Sequence, residues 1–103
     1  MKIDYVNYVD DFDADEHVFW LVVIDVPEEF IKKAKEVDGE DFESGCFSIC
    51  IYHNEDEWDV ERDGYKHELF YVCNDGDRIW FKYELTEEEK NVAIDLCKEY
   101  LDI

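Results

Sequence analysis

Residues 36 to 61 hold ten carboxylates and no Lys or Arg, and between the two acidic arms runs CFSICIY, residues 46 to 52, with Ser48 its one small hydroxyl. An apolar run of that length, rich in β-branched and aromatic side chains, predicts a buried strand. The same stretch must therefore supply interior packing and dense negative surface. Any fold open to this chain has to keep the run inside while both arms stay in water.

Length and apolar content decide whether such a compromise folds. The chain has 103 residues, which predicts a single domain, 1 to 103, with one modest core. Its net charge of −20 points toward disorder, but 47% hydrophobic and 17% aromatic residues exceed what a solvated coil carries. The chain should fold against its own repulsion, and added salt should stabilise it. Direct contact with nucleic acid or with anionic membrane needs Lys and Arg, so basic proteins are the expected partners. The sequence opens without a charged-then-apolar leader, and its longest apolar run, residues 18 to 24, is short for a membrane span. The expected location is the cytoplasm, where Cys46, Cys50, Cys73 and Cys97 would be reduced thiols.

Periodicity then divides the chain. Residues 3 to 9 alternate loosely and predict a first strand, with 10 to 16 an acidic turn or hairpin tip. Residues 17 to 26, rich in Val and Ile, predict a central strand buried on both faces. Pro27, Glu28 and Glu29 suit the first turn of a helix carrying Phe30, Ala34 and Val37 on one face, which Asp38-Gly39 stops. Residues 46 to 53, 57 to 62, 65 to 73 and 78 to 84 then read as four strands of period two. Asp63-Gly64 and Asp75-Gly76 between them are hairpin signals of type I′. Thr86 and Glu89 form a capping box, and Val92, Ala93, Leu96, Cys97, Tyr100 and Leu101 make the stripe of a closing helix expected to pack across the meander, covering Phe70, Val72 or their neighbours. The predicted class is α+β: an antiparallel sheet with a four-strand C-terminal meander, packed by two helices.

Strand geometry gives the acids a pattern. Glu55, Glu57, Asp59 and Glu61 fall on one face of the predicted strand, about 6.6 Å apart, with Trp58 and Val60 turned to the core. Asp11, Asp13 and Asp15 repeat the arrangement beside Phe12 and Ala14. An ordinary solvated face dilutes like charge with Lys, Arg or Thr, and neither ladder does so. Residues 1 to 61 carry 19 acids against 4 bases, whereas the rest carries 11 against 6. To a groove built for DNA or RNA, such rows look like a phosphate backbone, which repeats one charge per about 3.4 Å of axis on each strand.

In size, charge and aromatic content the chain resembles the small acidic proteins that phages direct against bacterial defence, among them anti-CRISPR proteins and other DNA mimics. It is similar in the same respects to the acidic immunity proteins that neutralise basic nuclease toxins. The first resemblance implies a non-enzymatic inhibitor without cofactor, a monomer or homodimer in the host cytoplasm. Its partner would be a basic nucleic-acid-binding protein, a defence nuclease such as a CRISPR effector; the second resemblance implies a basic toxin instead. The expected contact residues are the two ladders, Asp11, Asp13, Asp15, Glu55, Glu57, Asp59 and Glu61.

Other chemistry has less material. Asp11, Asp13 and Asp15 have the first spacings of a calcium loop, but Glu16 stands where Gly is needed and Val22 where Glu is needed. Cys46 and Cys50 lie about 13 Å apart on one strand, too far for one zinc ion. Cys50, His53, His67 and Cys73 could converge across strands, which keeps open a small metal- or thiol-dependent enzyme; burial as small hydrophobes is the plainer role for the cysteines. Tyr5, Tyr8, Tyr65, Trp80 and Tyr83 are candidates for an aromatic contact patch.

Overall fold

The apolar run becomes β3, Phe47–Asn54, the strand around which the sheet of the computed structural model is laid out. The structure describes residues 1–13, 16–54, 57–59 and 69–102, and at 10–13 and 59 the backbone alone. The other elements are β1 (Lys2–Asp13), β2 (Glu16–Ile24), α1 (Glu28–Asp38), β4 (Glu57–Asp59), β5 (Leu69–Val72), β6 (Arg78–Phe81) and α2 (Glu87–Leu101). The sheet is antiparallel in the order β1-β2-β3-β5-β6, with β4 also beside β3. This is the expected α+β class, with one detail of pairing to add. One edge of β3 is shared: β4 takes Tyr52, His53 and Asn54, and β5 takes Phe47, Ser48 and Ile49.

Alternation sorts the side chains into a helix-covered face and an opposite face. The first carries Phe19, Leu21 and Val23 of β2, Phe47, Ile49 and Ile51 of β3, Leu69 and Tyr71 of β5, and Phe81 of β6. Ala34 of α1 and Ala93 and Cys97 of α2 belong to the same buried cluster, so both helices lie on this face. Phe30 of α1 stacks on Phe81 with ring centres 4.7 Å apart, and Tyr100 of α2 meets Phe19 edge-on at 6.0 Å. Phe70 and Val72 alternate with Leu69 and Tyr71, hence point away from both helices. Of the expected positions, the neighbours Leu69 and Tyr71 are the ones on the helix-covered face, and the expected packing of α2 across the meander is corrected: α2 lies against β1. The fully buried helix positions are small, Ala34, Ala93 and Cys97, and the predicted stripes are narrowed at their margins, where Val37, Val92 and Tyr100 are exposed.

Local signals in the sequence place the element ends. Pro27 sits just before α1, its carbonyl accepting the Phe30 N–H at 3.0 Å, and Gly39 at φ +57° ends the helix. Thr86 and Glu89 form the reciprocal capping box at 2.9 and 3.1 Å. The β5–β6 hairpin departs from the expected type I′ turn. Gly76 N–H donates to the Cys73 carbonyl at 2.9 Å and Cys73 N–H donates to the Asp77 carbonyl at 2.7 Å, giving a three-residue loop in which Gly76 has φ +92°. Asp63-Gly64 lies outside the described residues. None of the described helices is long and apolar enough to cross a membrane.

One polar group ties these pieces together. Tyr71 is fully buried, yet its hydroxyl donates to Asp38 Oδ2 at 2.7 Å and accepts the Glu43 N–H at 3.1 Å. Asn74 N–H donates to both Asp38 oxygens, at 3.3 and 3.2 Å. Phe42 stacks on the phenol ring at 5.6 Å, and Phe47 lies against it at 5.0 Å. Two short 3-10 turns, Gly39–Asp41 and Ser44–Cys46, carry the chain from α1 to β3 past this contact. The first acidic arm is therefore more than a solvated helix exit, because Asp38 accepts from the core. Burial, then the Asp38 carboxylate, pushes the phenol up to about 12 from its ordinary 10.0.

Tyr71→Phe should cost about 1–3 kcal/mol, since it orphans both the Glu43 N–H and an Asp38 oxygen. The wild type should also carry a specific alkaline slope. The folded state keeps the phenol proton that the unfolded chain releases from 10.0 upward, so this stability is complete below that pH and is lost as pH rises toward about 12. Urea melts across that window should show the gap between wild type and Tyr71→Phe narrowing as pH rises. A constant gap would contradict the buried phenol.

Candidate functional site

Strand pairing brings the described members of both acidic ladders, Asp11, Asp13, Glu57 and Asp59, to one end of the sheet. Asp13 of β1 stands opposite Glu16 of β2, Glu16 opposite Asn54 of β3, and Asn54 opposite Glu57 of β4. Residues far apart in sequence thus form one cross-strand row, each strand about 4.8 Å from the next. Glu16 is half-buried and accepts a hydrogen bond from the Tyr52 hydroxyl at 2.8 Å, while Glu57 is exposed. Asp10 and Asp59 come in two rows further along, through Val18 and Tyr52.

Between these rows lies a support on the helix-covered face. Asp11 is opposite His17, His17 opposite His53, and His53 opposite Trp58. The two imidazoles stack with centres 5.3 Å apart, and their Nδ1 atoms are 3.1 Å apart. One Nδ1 must donate and the other accept, so the contact holds a single proton between two rings. Trp58 stacks on His53 at 4.0 Å and on Phe19 at 6.0 Å, tying short β4 into the core. A stack of flat rings thereby braces the acidic end from within.

The expected site residues are distributed as follows. Asp11 and Asp13 lie in strand β1, not in a turn, because β1 runs to Asp13 and β2 begins at Glu16. A register irregularity falls between Asp11 and Asp13 and interrupts the alternation that would put Asp11, Asp13 and Asp15 on one face. Glu57 and Asp59 are in β4. Asp15, Glu55 and Glu61 lie outside the described residues. Glu16, His17 and Tyr52 join the site without having been expected there. Two hairpins paired through β2 and β3 must bring their tips to the same end, and that was the signal available in the sequence.

A second grouping crosses the face away from the helices. Tyr8 and Trp20 have ring centres 5.2 Å apart, Trp20 and Phe70 5.1 Å, and Phe70 and Trp80 4.9 Å. Small Ser48 and Cys50 of β3 leave room for these rings, being the partners of Phe70 and Trp20. The Arg78 guanidinium lies 4.2 Å from the Trp20 ring centre and 5.7 Å from that of Phe70. Tyr5, Tyr8 and Trp80 are 51%, 49% and 43% exposed. Tyr83 leaves the expected aromatic patch, since its hydroxyl donates to Glu89 at 2.9 Å and its ring meets Phe30 edge-on. Tyr65 lies outside the described residues.

The proposed cysteine and histidine cluster does not assemble from its described members. Cys50 pairs with Trp20 on one face of β3, His53 points to the other, and Cys73 sits in the β5–β6 loop at the far end. His67 lies outside the described residues, and among those described no three His, Cys, Asp or Glu are placed to hold a metal ion. Burial pushes the Cys46, Cys73 and Cys97 thiols up, Cys97 to about 12, with Glu43 adding at Cys46. These three stay protonated at neutral pH, the opposite of an activated nucleophile. The chain matches no protein-family model, no curated protein and no solved structure.

Like charges directly opposite on a sheet oppose folding, so the acidic end should show as a salt-dependent stability. Melting temperature should rise with added NaCl. Glu16→Gln keeps the acceptor for Tyr52 while removing the charge opposite Asp13, and should stabilise by about 0.2–1 kcal/mol at low salt, less at high salt. A melting temperature indifferent to salt in both proteins would contradict the crowded row.

Proposed function

We propose that this chain is a non-enzymatic inhibitor whose acidic end occupies a nucleic-acid-binding site on a basic protein, such as a defence nuclease of the CRISPR-effector kind. The cross-strand row through Asp13, Glu16, Asn54 and Glu57 carries this proposal, because it joins two separate acidic segments into one surface. Sheet hydrogen bonds hold the backbone of that row before any partner arrives. The repulsion among its carboxylates is then met during folding and not again on binding. A net charge of −20 would draw a cationic groove toward this surface from a distance and raise the association rate. Asp15, Glu55 and Glu61 extend the same segments in sequence.

The tethered chain should retain basic nucleic-acid-binding proteins from a bacterial lysate at low salt, and release them to added DNA duplex or to high salt. Combined Glu55→Lys, Glu57→Lys and Glu61→Lys should abolish both retention and inhibition of the captured protein while thermal unfolding stays cooperative. Inhibition that survives this triple reversal would overturn the proposal. A basic toxin as partner uses the same surface and is the second possibility; its complex would resist displacement by DNA.

A further inference from the structure

The face of the sheet away from the helices has the composition of a binding surface with the wrong charge for most ligands. Tyr5, Tyr8 and Trp80 are about half exposed there, and Trp20 and Phe70 join Tyr8 to Trp80 in one run of touching rings. Among the described residues both helices pack on the other face. Three kinds of occupant suit exposed aromatic rings: nucleobases, a second copy of the chain, and cationic side chains. A net charge of −20 opposes the first two by repulsion and favours the third. The face also holds a cation of its own. Arg78 lays its guanidinium carbon 4.2 Å from the Trp20 ring centre, so the ring spacing of this sheet already accepts a guanidinium over a ring face.

We propose that this aromatic face receives arginine side chains from an extended segment of the basic partner, stacking on Tyr5, Tyr8 and Trp80 as Arg78 stacks on Trp20. The inference rests on the proposed binding of a basic protein and names how that partner is gripped. Carboxylates attract Lys and Arg alike, whereas a planar guanidinium stacks on rings better than an ammonium does. The acidic end would bring the partner in, and the aromatic face would select for arginine. Glu16 and Tyr52 stand on the same face at the acidic end, so the two surfaces are continuous.

Two synthetic peptides of equal length and charge, one alternating Arg with Gly and the other Lys with Gly, test this by calorimetric titration. The wild type should bind the arginine peptide about thirtyfold more tightly, at about threefold for each of the three rings engaged. Tyr8→Leu with Trp80→Leu should cut that preference to about threefold, the share of Tyr5, and leave lysine-peptide affinity unchanged, since every carboxylate remains. Should the double variant fail to fold by circular dichroism, Tyr5→Leu and Tyr8→Leu, tested singly, should each lower arginine-peptide affinity about threefold. Equal affinity for both peptides, or a preference undiminished by these changes, would overturn the inference. So would a dimer in sedimentation lost in the double variant, or binding of a single-stranded DNA oligonucleotide to the wild type. Failure of the inhibitor proposal is read elsewhere, as inhibition surviving reversal at Glu55, Glu57 and Glu61.

Discussion

The contact between Tyr71 and Asp38 holds together parts of the chain that would otherwise have little reason to meet. Asp38 is the last residue of α1, where the helix dipole opposes a negative charge, so the position is unfavourable for an isolated helix. The Tyr71 hydroxyl and the Asn74 N–H offset that by donating to the carboxylate. The hydroxyl in turn satisfies the Glu43 N–H, so one buried group links the end of α1, the connection to β3 and the β5–β6 hairpin. Aromatic packing from Phe42 and Phe47 shields the Tyr71 hydroxyl, which strengthens its hydrogen bonds, while the Asn74 bonds to Asp38 lie at the surface. A chain this acidic uses one of its many carboxylates as a structural acceptor.

With α1 fixed over β5 and β6, and α2 lying over β1 and β2, the helices share one face of the sheet. Everything proposed about function follows from that asymmetry. The covered face holds the aliphatic and phenylalanine core, and at its end the stack of His17, His53 and Trp58. The opposite face is left with aromatic rings, Arg78 and, at the end shared by both hairpins, the acid row. Like charge facing like charge across strands opposes folding, and the ring stack of His17, His53 and Trp58 braces the same end of the sheet. A cationic partner would relieve the repulsion, which is a physical reason for such a surface to bind rather than merely to be solvated.

Several elements were legible from local chemistry. Asp38-Gly39, Thr86 with Glu89, and the apolar runs at 17 to 26 and 46 to 52 each act through neighbours close in sequence, and each sits where expected. Asp75-Gly76 located a hairpin but not its turn, because a dipeptide states which residue tolerates positive φ and not how many residues the loop holds. The stripe of α2 was read too wide, since Val92 and Tyr100 lie at its margins and only the distance to the sheet decides what is covered. Periodicity leaves open whether Phe70 and Val72 or their neighbours Leu69 and Tyr71 face the helices, because one residue of register exchanges the two faces. Of the site, Glu57 and its alternation with Trp58 were visible, whereas Glu16 and His17 were not.

Composition and local pattern therefore determined the α+β class, the element order, the capping of both helices and the excess of negative charge, because all of these depend on residues near one another in the chain. Only the tertiary structure decided that Asp13 and Glu57 lie in one cross-strand row at the same end of the sheet, that His17 stacks on His53, and that one carboxylate of the first arm anchors the core. These contacts join residues more than thirty positions apart, as Tyr71 with Asp38 and His17 with His53 show. Strand pairing and register set such distances, and no local propensity encodes them.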